Sequence, residues 1–174
     1  MPTNNVNDQL TQELEQALAQ PLEKISNWEK NLFDDLAGPL SKSLVLYGAG
    51  GLGRKTLGGL RQLGIMPLAF TDNNPGLYGR QIEGIPIISP EQAAHDFGDA
   101  AIFIITIFMD SAPGGIEPLV EKLNGLGCYH VASFSILYWK FPELFLPHYA
   151  YDLPHKVIAS ANKIQQAFDL FEDN

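Results

Sequence analysis

A short apolar run ends in the sequence Gly-Ala-Gly-Gly-Leu-Gly at residues 48–53, and glycines at this spacing can hold a phosphate. In a G-x-G-x-x-G turn between a strand and a helix, the first glycine permits a tight turn and the second lets a pyrophosphate approach the backbone. The third lets the helix pack closely on the strand. The start of the helix adds unpaired N–H groups and about half a positive charge. The predicted ligand-binding residues of this turn are Gly48, Gly50, Gly51, Leu52, Gly53 and Arg54.

An aspartate and an asparagine follow at the end of the next predicted strand. Asp72 follows Gly53 at about the 20-residue spacing at which an acid accepts hydrogen bonds from a ribose diol, and Asn73 stands beside it. Asp72 could instead cap the turn in the sequence NNPG, because aspartate readily starts such turns. Its charge would repel a 2′-phosphate, whereas Arg54 and Lys55 would weakly attract one.

Thr106 and Asp110 are expected where a strongly apolar strand ends. Ligands of open α/β sheets lie at the carboxyl ends of the strands, so both residues could line the same cleft as the glycines. Forming a loop turn is the commoner role for such residues. A second loop of small residues, SAPGG at 111–115, follows on that edge.

Side chains that could catalyse a reaction are not grouped in the sequence. Tyr151 and Lys156 are one residue too far apart for the Tyr-x-x-x-Lys pair of short-chain dehydrogenases. Neither a Gly-x-Ser-x-Gly elbow nor a Gly-Lys-Ser/Thr loop occurs. We therefore predict no catalytic residue and no metal site in this chain. The histidines, which lack a metal-ligand spacing, are His95, His130, His148 and His155.

The segments around the glycine turn alternate between strands and helices. The run at 100–108 is apolar on both faces, as the middle of a parallel sheet requires. We predict an α/β fold with a Rossmann-like parallel sheet of about five strands and helices on both faces. Strands are predicted at 43–48, 66–72, 82–89 (with a bend), 100–108 and 128–134. Helices are predicted at 51–63, 90–97 and 115–127.

Two further regions flank this sheet. Apolar residues every three or four positions predict helix over 8–37, with Pro21 starting a second helix. Residues 135–153 form an irregular aromatic stretch broken by prolines, and helical periodicity resumes at 154. The expected units are an N-terminal helical segment at 1–40, a Rossmann-like nucleotide-binding domain at 41–135, and an aromatic connector with a helix at 136–174.

The aromatic stretch and the last helix leave two questions open. The stretch either covers the sheet and the N-terminal helices or contacts another domain or subunit through residues 138–151. The last helix is still amphipathic where the sequence ends in FEDN, with no glycine or proline to close it. This pattern suggests a chain cut from a longer protein.

Composition limits the partners. The net charge of −9 argues against nucleic acid and against a polybasic membrane contact. No apolar run approaches the ~20 residues of a membrane helix, and the N-terminus is not that of a secretory signal. The single cysteine, Cys128, fits a reducing compartment. We expect a cytoplasmic protein whose small, nucleotide-type ligand lies near the basic residues Arg54, Lys55, Arg61 and Arg80.

Residues 45–94 resemble the N-terminal Rossmann-like region that precedes the catalytic domain in some FkbM-family methyltransferases. The specific features are the sequences FTDNNP and GIPIISPEQA, together with YDLPHKV in 146–174, which is similar to the connector of those proteins. The resemblance covers most of 40–174. The front half is also similar to the nucleotide-sugar-binding domain of bacterial sugar acyltransferases.

The resemblance implies an accessory domain, non-catalytic by itself, of a methyltransferase that uses S-adenosylmethionine. Its catalytic domain would follow residue 174. The methyl-donor motif of that family, Asp-x-Gly-Ala-Asn, has an acid before the glycine, whereas Tyr47 precedes Gly48 here. NAD or a nucleotide sugar is therefore expected at the glycine turn, and S-adenosylmethionine only in the downstream domain. An NAD-dependent epimerase or oxidoreductase, and a Rossmann domain that only mediates interactions, remain open.

Overall fold

The computed structural model describes residues 16, 19–108, 115–149 and 151–172. Its strands are β1 (Leu44–Tyr47), β2 (Ala69–Thr71), β3 (Gln81–Ile82), β4 (Ile85–Ile88), β5 (Ile102–Ile105) and β6 (Val131–Ser133). They form one sheet in the order β3-β4-β2-β1-β5-β6, in which only β3 and β4 pair antiparallel. The predicted α/β class and Rossmann-like parallel sheet are confirmed.

Helices lie before, between and after the strands. The helices of the sheet region are α1 (Leu22–Ala37), α2 (Gly51–Gln62), α3 (Pro90–Phe97) and α4 (Glu117–Gly125). Those that follow the sheet are α5 (Phe134–Lys140), α6 (Pro142–Phe145), α7 (Pro154–Ala159) and α8 (Ala161–Glu172). Among the described residues, none of these helices has the length and apolar character needed to cross a membrane.

The predicted bent strand at 82–89 is instead a hairpin of β3 and β4. Glu83 and Gly84 form its two-residue turn with φ of 49° and 85°. Positive φ at both turn positions matches the right-handed twist of the strands, and glycine at the second position adopts it without steric cost. The hairpin adds a sixth strand at one edge, so the predicted five parallel strands stand beside one antiparallel strand.

Alternation along β1 divides the core into two layers. Leu44 and Leu46 face the layer covered by α1, α2 and α5, whereas Val45 and Tyr47 face the layer covered by α3 and α4. All four side chains are fully buried. Burial on both faces explains why the central strands are continuously apolar. The glycine turn begins directly after Tyr47, at the carboxyl end of β1.

The predicted irregular stretch after the sheet is partly helical, because it contains α5 and α6. Tyr138 and Phe145 from this stretch stack with parallel rings 4.3 Å apart and share the core layer with Phe33 of α1. Trp139 lies against Trp28 of α1, with ring centroids 5.5 Å apart. These residues therefore cover the sheet and α1, while a contact with another domain or subunit through 138–151 stays a prediction.

The segments at both ends of the chain also differ from the predicted pattern. The long predicted helix after 154 is two helices, α7 and α8, which are separated at Ser160. At the other end, α1 begins directly after Pro21, in agreement with the predicted second helix. The predicted helix over 8–20 falls almost wholly outside the described residues.

Candidate functional site

The turn between β1 and α2 begins with a glycine that the fold itself requires. Gly48 has φ of 118°, and its amide donates to the Thr71 carbonyl at 2.8 Å. A Cβ at this position would lie 2.8 Å from both the Thr106 carbonyl oxygen and Cγ1 of Ile107. The positive φ and the crowding each exclude a larger residue, so Gly48 makes the tight turn that its place in the motif predicts.

The last glycine of the motif fixes how closely α2 approaches the strand. A Cβ on Gly53 would lie 2.1 Å from the Gly48 carbonyl oxygen and 3.1 Å from both Phe70 Cε1 and Thr106 Oγ1. The nearest of these atoms belongs to the backbone and cannot rotate away. Gly53 therefore lets the first turn of α2 rest on the end of β1.

The two middle glycines border open space. A Cβ on Gly50 or on Gly51 would meet no atom within 4 Å. The first intrahelical bond of α2 runs from the Arg54 amide to the Gly50 carbonyl at 3.0 Å. The amides of Gly51, Leu52 and Gly53 thus precede the hydrogen-bonded part of the helix, where an anion is normally bound.

A cleft of about 300 Å³ opens at this turn. It lies where the strand order reverses, between β1 and β5, which is where open α/β sheets bind ligands. Six residues predicted from the sequence line it, together with two, Ile107 and Phe108, that are not among the predicted site residues. The lining residues are Gly48, Gly50, Gly51, Leu52, Asp72, Thr106, Ile107 and Phe108.

Asp72 connects the glycine turn to the end of β2. Its Oδ2 accepts the Ala49 amide and its Oδ1 accepts the Asn74 amide, both at 2.9 Å. The second bond is the turn cap that the sequence suggested as one alternative. The neighbouring Asn73 Oδ1 accepts from the Tyr47 hydroxyl and from Lys122 Nζ, both at 2.7 Å. The Asn73 oxygen therefore joins β1 to α4 beside the cleft.

The Thr106 hydroxyl supports the turn from the β5 side. The hydroxyl can donate to either of two carbonyl oxygens, that of Gly48 at 2.9 Å or that of Tyr47 at 3.1 Å. Thr106 is buried, with 3% of its surface exposed. The Thr106 side chain is thus engaged with the backbone of the turn. Asp110, the other residue predicted at this edge, lies outside the described residues, as does most of the SAPGG loop.

The basic residues near the glycines are not equally open to a ligand. Arg61 pairs with the Glu83 carboxylate. Lys55 Nζ contacts His148 Nδ1 at 2.7 Å and the Phe145 carbonyl at 3.3 Å, and burial lowers the Lys55 pKa. Arg54 is exposed and has no ion pair within the described part of the chain. Arg54 is therefore the cation of α2 that is best placed to meet an anion.

An aromatic wall, defined here as Phe108, His148 and Tyr149, stands at the β5 side of the cleft. Phe108 lines the cleft, and its ring centroid is 5.6 Å from that of His148 and 5.5 Å from that of Tyr149. No local sequence pattern predicts this wall, since Phe108 ends the apolar run at 100–108 and resembles a core residue. Its partners come from the turn that follows α6, about forty residues later.

Polar side chains of the aromatic connector are used in packing against α1 and α2. The Tyr138 hydroxyl lies 3.2 Å from Thr56 Oγ1, Tyr138 is 1% exposed, and burial raises its pKa. A catalytic tyrosine would need the opposite shift and access to substrate. His155 bonds to the buried Glu29 through its backbone amide and its ring. These contacts join the connector to α1 and α2.

Two further kinds of site could add chemistry to the described residues: a reactive cysteine at Cys128 and a metal-binding cluster. Burial raises the pKa of the Cys128 thiol to about 11, so the thiol stays protonated at neutral pH and is a poor nucleophile. Within 16, 19–108, 115–149 and 151–172, no three His, Cys, Asp or Glu residues are placed to hold a metal ion.

The fold and the turn define a Rossmann-like domain. No protein-family model matches the chain, and no curated protein does either. The chain is similar to the solved structure of UDP-D-quinovosamine 4-dehydrogenase from Vibrio fischeri, with 23% identity and a TM-score of 0.40 over 53% of this chain and 75% of that one. It is also similar to RSP, a Rex-family repressor, with 19% identity and a TM-score of 0.47 over 83% and 70% of the two chains.

Proposed function

We propose that this chain binds a pyrophosphate-bearing nucleotide, either NAD or a nucleotide sugar, over Gly50 and Gly51. The observation that carries the proposal is the difference among the four glycines of the turn. Gly48 and Gly53 are required by the packing of the fold, whereas Gly50 and Gly51 have free space where a side chain would stand. This space belongs to the cleft, and a pyrophosphate approaching the backbone of the turn would occupy it.

The chemistry around the turn suits an anion attached to a ribose. The amides at the start of α2 and the positive end of its dipole favour a phosphate, and the exposed Arg54 adds a charge. Asp72 stands beside the turn, where its carboxylate can accept from ribose hydroxyls. Electrostatic attraction is therefore local to the turn, although the whole chain carries a net charge of −9.

A methyltransferase setting is a separate proposal, and it rests on the resemblance of residues 45–94 and 146–174 to FkbM-family proteins. In that setting the chain would be the accessory nucleotide-binding domain. Tyr47 precedes the glycines, and its hydroxyl is bonded to Asn73, so the turn lacks the acid of the methyl-donor motif. S-adenosylmethionine should therefore not stabilise this chain.

Thermal unfolding with NAD, NADH, UDP-glucose and S-adenosylmethionine tests the proposal. A ligand present at a hundredfold excess over its Kd adds about 2.7 kcal/mol, which raises the Tm of a chain of this size by about 5–10 °C. Gly50→Val should abolish the rise, because the new side chain fills the space that the ligand needs. It should leave the Tm without ligand nearly unchanged, since a Cβ there meets no atom within 4 Å.

Gly58→Val is the matched control, because Gly58 lies on the exposed face of α2 and its Cβ would also meet nothing. That variant should keep the full rise in Tm. A rise that persists in Gly50→Val would place the ligand elsewhere. No rise with any nucleotide would favour the interaction-only alternative, and NAD-dependent turnover by the chain would favour the oxidoreductase.

A further inference from the structure

We infer that the aromatic wall of Phe108, His148 and Tyr149 is a second subsite, which holds the ring joined to the far end of the pyrophosphate. This inference rests on the proposed function and specifies its ligand. The ligand class is a nucleoside diphosphate esterified to a second ring, which is a nicotinamide riboside in one source and a sugar in another.

The strand order gives the direction in which such a ligand lies. β1 stands between β2 and β5, so a pyrophosphate over Gly50 and Gly51 has the end of β2 on one side and the end of β5 on the other. Asp72 marks the β2 side of the cleft and Phe108 marks the β5 side. If the nucleoside ribose is at Asp72, the remaining ring is at Phe108.

Tyr149 is an aromatic residue that the fold leaves uncovered at this place. It is 86% exposed, and its ring meets the edge of Phe108 at an interplanar angle of 83°. Its φ of 52° is one that a tyrosine rarely adopts. Two backbone hydrogen bonds between His148 and Tyr151, at 2.9 and 3.2 Å, close the turn that holds Tyr149 in this conformation.

The position of the wall is fixed by α2 itself. Lys55, one turn along α2 from the open glycines, donates to His148 Nδ1 at 2.7 Å. The His148 ring lies 4.7 Å from that of Tyr149. The helix that would hold the phosphate therefore also positions the surface that would hold the second ring. Aromatic surfaces of this kind stack with planar rings and pack against the apolar faces of sugars.

Calorimetric titration of the whole chain with two pairs of ligands tests the inference. NAD is compared with ADP, and UDP-glucose with UDP, so that each pair differs by the second ring and the group that carries it. The test variant is Tyr149→Asn, which removes the ring and keeps a residue that tolerates positive φ. Tyr149→Phe is the matched control, because it retains the ring.

In the unchanged chain, one of the two ring-bearing ligands should bind more tightly than its truncated partner. Tyr149→Asn should reduce that preference roughly tenfold, as expected for the loss of one stacking partner, while binding of ADP or UDP changes less than about twofold. Tyr149→Phe should keep the preference. The pair that shows the preference identifies the second ring as nicotinamide or sugar.

Two results would overturn the inference in distinguishable ways. If the chain binds the nucleotides but Tyr149→Asn changes both members of a pair equally or neither of them, the subsite is refuted and the proposed function stands. If the unchanged chain binds none of the four ligands, the subsite is refuted together with the proposed function. The thermal midpoint of each variant without ligand verifies that the fold is intact.

Discussion

Replacing Gly53 by alanine tests the close approach of α2 to the glycine turn. The added Cβ would lie 2.1 Å from the Gly48 carbonyl oxygen, so the contact has to lengthen by about 1 Å to become tolerable. Phe70 and Thr106, at 3.1 Å, close the other directions. Because the obstructing atom belongs to the backbone, the whole first turn of α2 must move.

The expected change in the free energy of unfolding of Gly53→Ala combines two opposing contributions, the helix propensity of alanine and the steric cost of its methyl group. An alanine in a helix is favoured over a glycine by about 1 kcal/mol, and forcing a methyl group into a packed site costs about 1–3 kcal/mol. The absence of a side-chain escape at Gly53 places its cost at about 3 kcal/mol, so Gly53→Ala should lower the free energy of unfolding by about 2 kcal/mol.

Gly58→Ala is the control that measures the helix-propensity contribution without the steric cost. Gly58 lies in the same helix, is exposed and has no atom within 4 Å of an added Cβ. Its replacement by alanine should therefore raise the free energy of unfolding by about 1 kcal/mol, from helix propensity alone. Urea denaturation followed by circular dichroism should then place the two variants about 3 kcal/mol apart, or about 6–12 °C apart in Tm.

A small difference between the two variants would refute this account. If Gly53→Ala and Gly58→Ala agree within about 0.5 kcal/mol, the turn does not press on α2 as described, and the structural reason for the third glycine fails. A loss of stability with unaltered ligand binding would show that the cradle does not depend on this approach. We expect binding to weaken, because the amides that face the ligand belong to the turn that has to move.

Two other residues of the site give further predictions. Thr106→Val should lower the free energy of unfolding by about 1–2 kcal/mol because its hydroxyl donates to Gly48. Thr71→Val, whose buried hydroxyl has no partner among the described residues, should be neutral or stabilising; equal losses in urea would contradict this. Burial and the Lys55 ammonium lower the pKa of His148, so as the pH falls below about 6.5 the unfolded chain takes up the proton first and stability declines. His148→Gln should flatten this decline between about pH 7 and pH 5, and parallel profiles of the two proteins would count against it.

The glycine turn could be predicted from sequence because its signal is local. The spacing of Gly48 and Gly53 next to an apolar strand predicts both the tight turn and the start of the following helix. The sequence predicts only a bend where the hairpin at Glu83 and Gly84 lies, because a two-residue turn between strands as short as β3 leaves little pattern. Local chemistry therefore predicts the elements better than their exact pairing.

The helix α5 cannot be predicted from the sequence for a different physical reason. The five residues from Phe134 to Tyr138 are all buried, so the segment has no polar face and lacks the periodicity by which amphipathic helices are recognised. Three nearby prolines also favour an irregular structure. Likewise, the contact of Lys55 with His148 joins residues 93 positions apart and exists only in the folded chain. The aromatic wall could therefore not be predicted from any single stretch.

The two alternatives that the sequence left for Asp72 are compatible with each other. Its two carboxylate oxygens accept one backbone amide each, from Ala49 and Asn74. An ionised carboxylate has about four acceptor sites, so capping the turn leaves acceptor capacity for a ribose diol. The bond to Ala49 also fixes the acid to the glycine turn before any ligand arrives. A site assembled in advance loses less conformational freedom on binding, so the structural role of Asp72 supports the ligand-binding role proposed for it.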